Sequence, residues 1–126
     1  KKVSKNPCDF ICYSYPYQYL IECKSHYGNT FPFSEFPQYE EMLKYKDKRN
    51  ICAGVIVWFI DHDTVVFTPV SEEKKMIFEN KKSINIKDIK ADKYNFVIIP
   101  SVKKRVFMDS NYTVLENYMN NREAED

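Results

Sequence analysis

Glycine and histidine are scarce in this chain. Of its 126 residues, only Gly28 and Gly54 are glycine and only His26 and His62 are histidine. Two glycines cannot build a G-x-G-x-x-G dinucleotide loop, and their spacing excludes a G-x-x-x-x-G-K phosphate loop. Two distant histidines exclude an H-E-x-x-H zinc helix. No pair among Cys8, Cys12, Cys23 and Cys52 has C-x-x-C spacing, so a zinc knuckle or dithiol redox motif is not expected. Each cysteine lies in or beside an apolar, strand-like run, where a thiol serves as a small hydrophobe. A reducing, cytoplasmic setting follows as an expectation. No run approaches the ~18–20 apolar residues of a membrane span, and no signal peptide is visible, so no membrane partner is expected. Neither sign of charge dominates. Lys and Arg total 19 against 18 Asp and Glu, a net charge of +1, whereas nucleic-acid-binding domains are usually basic.

What is present is a foldable composition. Hydrophobic residues make up 44% and charged residues 29%, which suits one globular domain over residues 1–126. Lysine outnumbers arginine 16 to 3, and aromatics, Ile and Asn are common. An AT-rich coding sequence, as in many phages and low-GC bacteria, is expected from this, with selection for Lys and Tyr as the less economical alternative. The chain starts in Lys1-Lys2 without a methionine, from which upstream residues are inferred. Residues 122–126 form an acidic tail expected to fray.

The pattern predicts an α/β protein, with helices flanking a mixed sheet. Phe10–Ser14 and Tyr19–Lys24 read as strands of a hairpin, with Tyr15-Pro16-Tyr17-Gln18 turning between them. Residues 34–49 read as a helix with Ser34 as N-cap and Pro37 in its first turn. Its apolar stripe is Phe36, Tyr39, Met42 and Leu43. The run ICAGVIVWFI over residues 51–60 predicts a strand buried on both faces. Asp61-His62-Asp63 turns it back into a strand over 64–68. A helix over 71–80, strands over 96–99 and 105–108, and a helix over 112–121 complete the order β-β-α-β-β-α-β-β-α.

The hairpin carries the chemistry. With Tyr15 and Pro16 at the turn centre, paired residue numbers add to 31, and Asp9 lies opposite Glu22. Lys24, two residues on, shares that face. Two carboxylates placed opposite each other repel, unless a divalent cation sits between them. Mg²⁺ prefers such oxygen ligands, and a neighbouring lysine can contact phosphate or orient an attacking water. Two carboxylates, a lysine and Mg²⁺ suffice for phosphodiester hydrolysis. The bland alternative is a solvated hairpin face with an ordinary Glu–Lys pair.

The spacing D-x(12)-E-x-K on a hairpin followed by a helix resembles the PD-(D/E)xK nuclease superfamily. Pro7-Cys8-Asp9 stands for its first half and Glu22-Cys23-Lys24 for its second. More narrowly, the chain resembles RecU-type Holliday junction resolvases. The shared marks are Glu22-Cys23-Lys24, then Thr30-Phe31-Pro32, then Gln38-Tyr39-Glu40-Glu41-Met42, the I-C-x-x-V-I strand and Lys82-Ser83-Ile84. The resemblance covers most of residues 7–119 and is weakest in the C-terminal third. It implies a PD-(D/E)xK core and a homodimeric DNA endonuclease that cuts four-way junctions symmetrically in recombination and repair. It assigns Mg²⁺, with Mn²⁺ as a substitute, to Asp9, Glu22 and the backbone carbonyl of Cys23. Lys24 would activate or position the water, and Gln38 would orient it. Family members also carry a further acidic site residue on an upstream helix, and an extended stalk before the matching Asp; residues 1–8 contain no acid, and the chain is expected to start near the end of the stalk.

Basic clusters offer phosphate contacts despite the neutral total. The candidates are Lys5, His26, Lys44, Lys48 and Arg49, with Lys103, Lys104 and Arg105 in a turn. Basic residues ending a helix also complement its dipole, so surface roles stay open. His62 between two turn acids lacks convergent metal ligands. Two other readings remain: a PD-(D/E)xK endonuclease acting on linear duplex, and a non-catalytic DNA-binding module of the same fold.

Overall fold

The computed structural model describes residues 10–103 and 108–124. Strands β1 (Phe10–Ser14) and β2 (Tyr17–His26) form an antiparallel hairpin around Tyr15-Pro16. The pairs Phe10↔Ile21, Ile11↔Leu20, Cys12↔Tyr19, Tyr13↔Gln18 and Ser14↔Tyr17 keep the expected register. Asp9, the expected partner of Glu22, lies outside the described residues.

The chain then makes strand β3 (Thr30–Pro32), a short 3₁₀ turn at Phe33–Glu35 and helix α1 (Tyr39–Leu43). This corrects the continuous helix expected over 34–49. Ser34 falls in the 3₁₀ turn, and the helical N-cap is Gln38. The cause is Pro37. A proline ring disfavours helical geometry in the residue before it, and Phe36 stands at φ −123°, ψ 68°. Turns carry the chain from α1 into strand β4 (Ile51–Phe59).

Strand β4 pairs parallel to β2 and antiparallel to β5 (Thr64–Pro69). A 3₁₀ turn at Ile60–His62, closed by Asp63 in the left-handed region, makes that reversal. Helix α2 (Val70–Phe78) follows directly. Strand β6 (Ser83–Asn85) pairs with β3, and the short helix α3 (Ile86–Lys90) is capped by the Asn85 side chain, which accepts from the Lys87 N–H. Neither β3, β6 nor α3 is expected from periodicity, because each is too short to repeat a pattern. Strand β7 (Val97–Ile98) closes a five-stranded sheet of order β1-β2-β4-β5-β7. Strands β8 (Ser101–Lys103) and β9 (Met108–Ser110) form a separate pair, and α4 (Thr113–Ala124) ends the described chain. The strand expected over 105–108 lies outside the described residues except for Met108. No helix among the described residues is long and apolar enough to cross a membrane.

The mixed sheet is packed on both faces, as the run over 51–60 predicts. One face joins Leu20, Ala53, Val55, Val57, Phe59 and Val66 to Phe36 and Met42 of the α1 region and to Val70 and Met76 of α2. The other joins Tyr17, Tyr19, Ile21, Cys52, Ile56 and Phe67 to Leu115 and Met119 of α4. At 25 cal/mol per Å² of apolar burial, each fully buried Leu, Ile or Phe contributes roughly 1.5–3 kcal/mol.

The cysteines need a correction. Cys52 is buried, and burial pushes its thiol up to about 12, so it is inert. Cys12 and Cys23 are exposed, and Cys8 is outside the described residues. Cys12 sits on the edge strand. Beside it a groove of about 340 Å³ opens between the hairpin and the N-terminal end of α4, lined by Cys12, Tyr19, Ile21, Ile56, Tyr112 and Leu115. The apolar face of the hairpin is therefore longer than the helix that covers it.

The far end of α4 is latched to the connection before β4. Arg122 donates to the carbonyls of Lys48 (3.1 Å) and Ile51 (2.9 Å). Glu123 accepts from the Asn50 N–H at 3.2 Å and pairs with Arg49 at 3.2 Å. Burial acts to raise the Glu123 carboxyl. The Arg122 and Asn50 donors, with the charges of Arg122 and Arg49, outweigh it and hold the group below its ordinary value.

Candidate active site

Glu22 and Lys24 project from the middle of the sheet. Strand β2 lies between β1, which pairs with it as far as Ile21, and β4, which pairs with Glu22 and Lys24 through Val55 and Val57. The register Glu22↔Val55↔Thr68 runs one row across three strands, on the face covered by α1 and α2. Glu22 is 2% exposed. Lys24 lies on the same face, with Nζ 3.4 Å from Glu22 Oε2 and its side chain 28% exposed. Burying a carboxylate is costly unless a charge or donor compensates it, and the Lys24 ammonium supplies the opposite charge. The alternation along β2 thus grades from a buried acid to a half-exposed base.

The gradient continues outward. His26, next on that face, has Nδ1 3.5 Å from Glu35 Oε1 and packs edge-on against the Phe31 ring at 5.6 Å. The loop between β2 and β3 is tied to the β4–β5 turn. The Gly28 N–H donates to Asp61 at 2.7 Å, and His62 Nε2 bonds Asn29 Oδ1 at 2.7 Å. His62 is thereby a turn residue with a local partner.

Gln38 occupies the N-cap of α1 but makes no side-chain cap bond. Its Oε1 is buried and has no hydrogen-bond partner among the described residues. A buried amide oxygen left so costs roughly 1–3 kcal/mol, which a bound water or ligand would relieve. Of the expected site residues, then, Glu22 and Lys24 are brought together, and Gln38 enters on the helix covering the same face. Cys23 points to the opposite side of the strand and is exposed. Asp9 is not described.

The basic candidates divide. Lys44 is paired with Glu41 at 2.8 Å and Arg49 with Glu123 at 3.2 Å, while Lys48 is exposed and gives its carbonyl to the α4 latch. The exposed Lys44–Glu41 pair contributes little to stability, whereas Arg49 is engaged by the buried Glu123 of the α4 latch. Lys5, Lys104 and Arg105 lie outside the described residues, and Lys103 is the last described residue of β8.

The oxygen donors here suit a hard cation such as Mg²⁺ better than a soft metal. Glu22 would supply a carboxylate and Cys23 its backbone carbonyl. Among the described residues no three His, Cys, Asp or Glu side chains form a metal-holding group, so a complete shell needs Asp9 or donors from water and substrate.

Two buried polar side chains on this face were not expected from sequence. The Thr68 hydroxyl and both carboxyl oxygens of Glu73 are fully buried without hydrogen-bond partners among the described residues. Glu73 shares the inward stripe of α2 with Val70 and Met76. That three-residue spacing was the available signal. Desolvation pushes the Glu73 carboxyl well above its ordinary value of 4.5. Its folded pKa thus exceeds its unfolded one, and between the two the unfolded state binds fewer protons. Stability therefore falls as pH rises above about 4.5. Glu73→Leu is expected to stabilise the fold by about 1–3 kcal/mol near neutrality and by much less at acid pH, read from urea midpoints. An equal change at both pH values would show that the carboxyl is compensated.

No known protein family matches the chain, and no curated protein is significantly similar to it.

Proposed function

We propose that this protein is a Mg²⁺-dependent DNA endonuclease of the PD-(D/E)xK type, acting on four-way junctions as the RecU resemblance implies. The observation that carries the reading is the Glu22–Lys24 pair: a carboxylate 2% exposed in the strand paired to β4, with an ammonium 3.4 Å away on the same face. A surface ion pair needs no such burial, and a stabilising core would use apolar residues there.

Asp9 and Glu22 would hold Mg²⁺, which when bound supplies Lewis-acid stabilisation of charge at the phosphate and lowers the pKa of water. Lys24, partly exposed, donates to a phosphate oxygen and neutralises charge that develops in the transition state. Gln38 offers its buried Oε1 to the attacking water as an acceptor and orients it for in-line displacement. A symmetric junction needs two symmetric cuts, and a homodimer with C2 symmetry would supply two sites.

The test is cleavage of a four-way junction and of linear duplex, with Mg²⁺ and with EDTA. Paired symmetric nicks in the junction, abolished by EDTA, are expected. Cleavage of linear duplex alone would replace the substrate by duplex DNA. Tight binding with no cleavage under any divalent cation would make the protein a binding module.

A further inference from the structure

Net charge conceals a local concentration. Residues 74–82 read KKMIFENKK, four lysines and one glutamate, in a chain whose net charge is +1. Lys75 is paired with Glu72 at 3.7 Å, Lys81 with Asp88 at 3.0 Å, and Glu79 accepts from the Tyr94 hydroxyl at 2.6 Å. Lys74 and Lys82 are exposed, with no ion pair among the described residues. Between them in sequence is Phe78, 88% exposed, at the last position of α2, with Ile77 beside it at 39%. Lys74 and Phe78 are four residues apart on one helix, so their side chains are neighbours on one face.

This surface adjoins the margin of the candidate site. The Lys82 carbonyl accepts from the Phe33 N–H at 3.0 Å. Two residues on, Ile84 pairs with Phe31, and the Phe31 ring packs on His26 of the site strand. Exposed cations beside an exposed ring match phosphates and a base face, the combination by which proteins hold unstacked nucleic acid. Base faces are closed inside a linear duplex and open where strands part.

We propose that Lys74, Phe78 and Lys82 form a DNA-binding surface for the branch point, with the lysines on phosphates and the Phe78 ring on an unstacked base. This rests on the junction reading above and adds the feature by which a junction is told from a duplex.

The test compares binding of wild type, Phe78→Ala and the double variant Lys74→Gln/Lys82→Gln to a four-way junction and to linear duplex. The junction carries 2-aminopurine at the crossover. Phe78→Ala is expected to weaken junction binding on the order of tenfold, to leave duplex binding unchanged and to remove the fluorescence quenching of the crossover base. The double variant is expected to weaken both and to reduce the slope of log K against log salt by about 2. Thermal melts equal to wild type show that the variants fold. Junction binding and quenching unchanged in Phe78→Ala would overturn the assignment, as would equal losses on both DNAs. A loss confined to binding of anionic phospholipid vesicles would also overturn it, making the face a membrane contact. A wild type that neither binds nor cleaves either DNA would overturn the junction reading itself.

Discussion

Glu22→Gln is expected to reduce Mg²⁺-dependent junction cleavage by about a thousandfold or more, while leaving junction binding within a factor of about three. The substitution keeps the shape and removes the charge. Glu22 is 2% exposed, so a neutral amide there is no harder to bury than the carboxylate, and the melting temperature should not fall. A loss of activity with retained fold and binding assigns the effect to the charge. Lys24 is 3.4 Å from Glu22 and partly exposed, so water can solvate its ammonium once the Glu22 charge is gone, and the strand should stay folded. Cleavage within threefold of wild type in Glu22→Gln would remove Glu22 from the site and with it the proposed mechanism.

Gly54→Ala is expected to cost about 3 kcal/mol, at the upper end for overpacking, and to lower the melting temperature by about 10 °C. A Cβ on Gly54 would stand 2.4 Å from the Thr68 carbonyl oxygen and 2.6 Å from the Phe67 ring. The first is backbone in the adjacent strand, so β4 and β5 would have to separate. The second is a ring buried in the second core. No φ requirement is involved at this position. The glycine is there because Phe67 lies across it. Thermal melts would check this, and an unchanged melting temperature would mean that β5 yields freely at Thr68. Because β4 also flanks Glu22, the loosened variant should lose cleavage at a lower temperature than wild type.

The hairpin was legible because it is local. Tyr15-Pro16 sets the turn, a two-residue loop sets the register, and alternation then places Glu22 and Lys24 on one face. The run over 51–60 was legible because only a doubly covered strand is apolar at nearly every position. The helix over 34–49 was misread because a stripe of Phe36, Tyr39, Met42 and Leu43 has helical period, yet Pro37 excludes Phe36 from helical geometry. Cys12 and Cys23 looked like core because alternation says which face a residue takes, not whether anything covers it. Covering depends on where α4 lands, about a hundred residues later. Glu73 was hidden for the opposite reason. An acid in the first turn of a helix has a ready explanation in the helix dipole, and only the inward stripe it shares with Val70 and Met76 argues against it.

The Arg122–Glu123 latch has a consequence for the order in which the protein is made. The site strand leaves the ribosome long before the helix that covers its second face, and Arg122 and Glu123 are the residues that lock that helix against Lys48, Asn50 and Ile51. Until they emerge, Tyr17, Tyr19 and Ile21 have no lid. The nascent chain therefore passes through an interval in which the strand bearing the candidate catalytic residues has one finished face and one sticky one. Chaperone binding should concentrate in that interval and end once Arg122 and Glu123 have emerged.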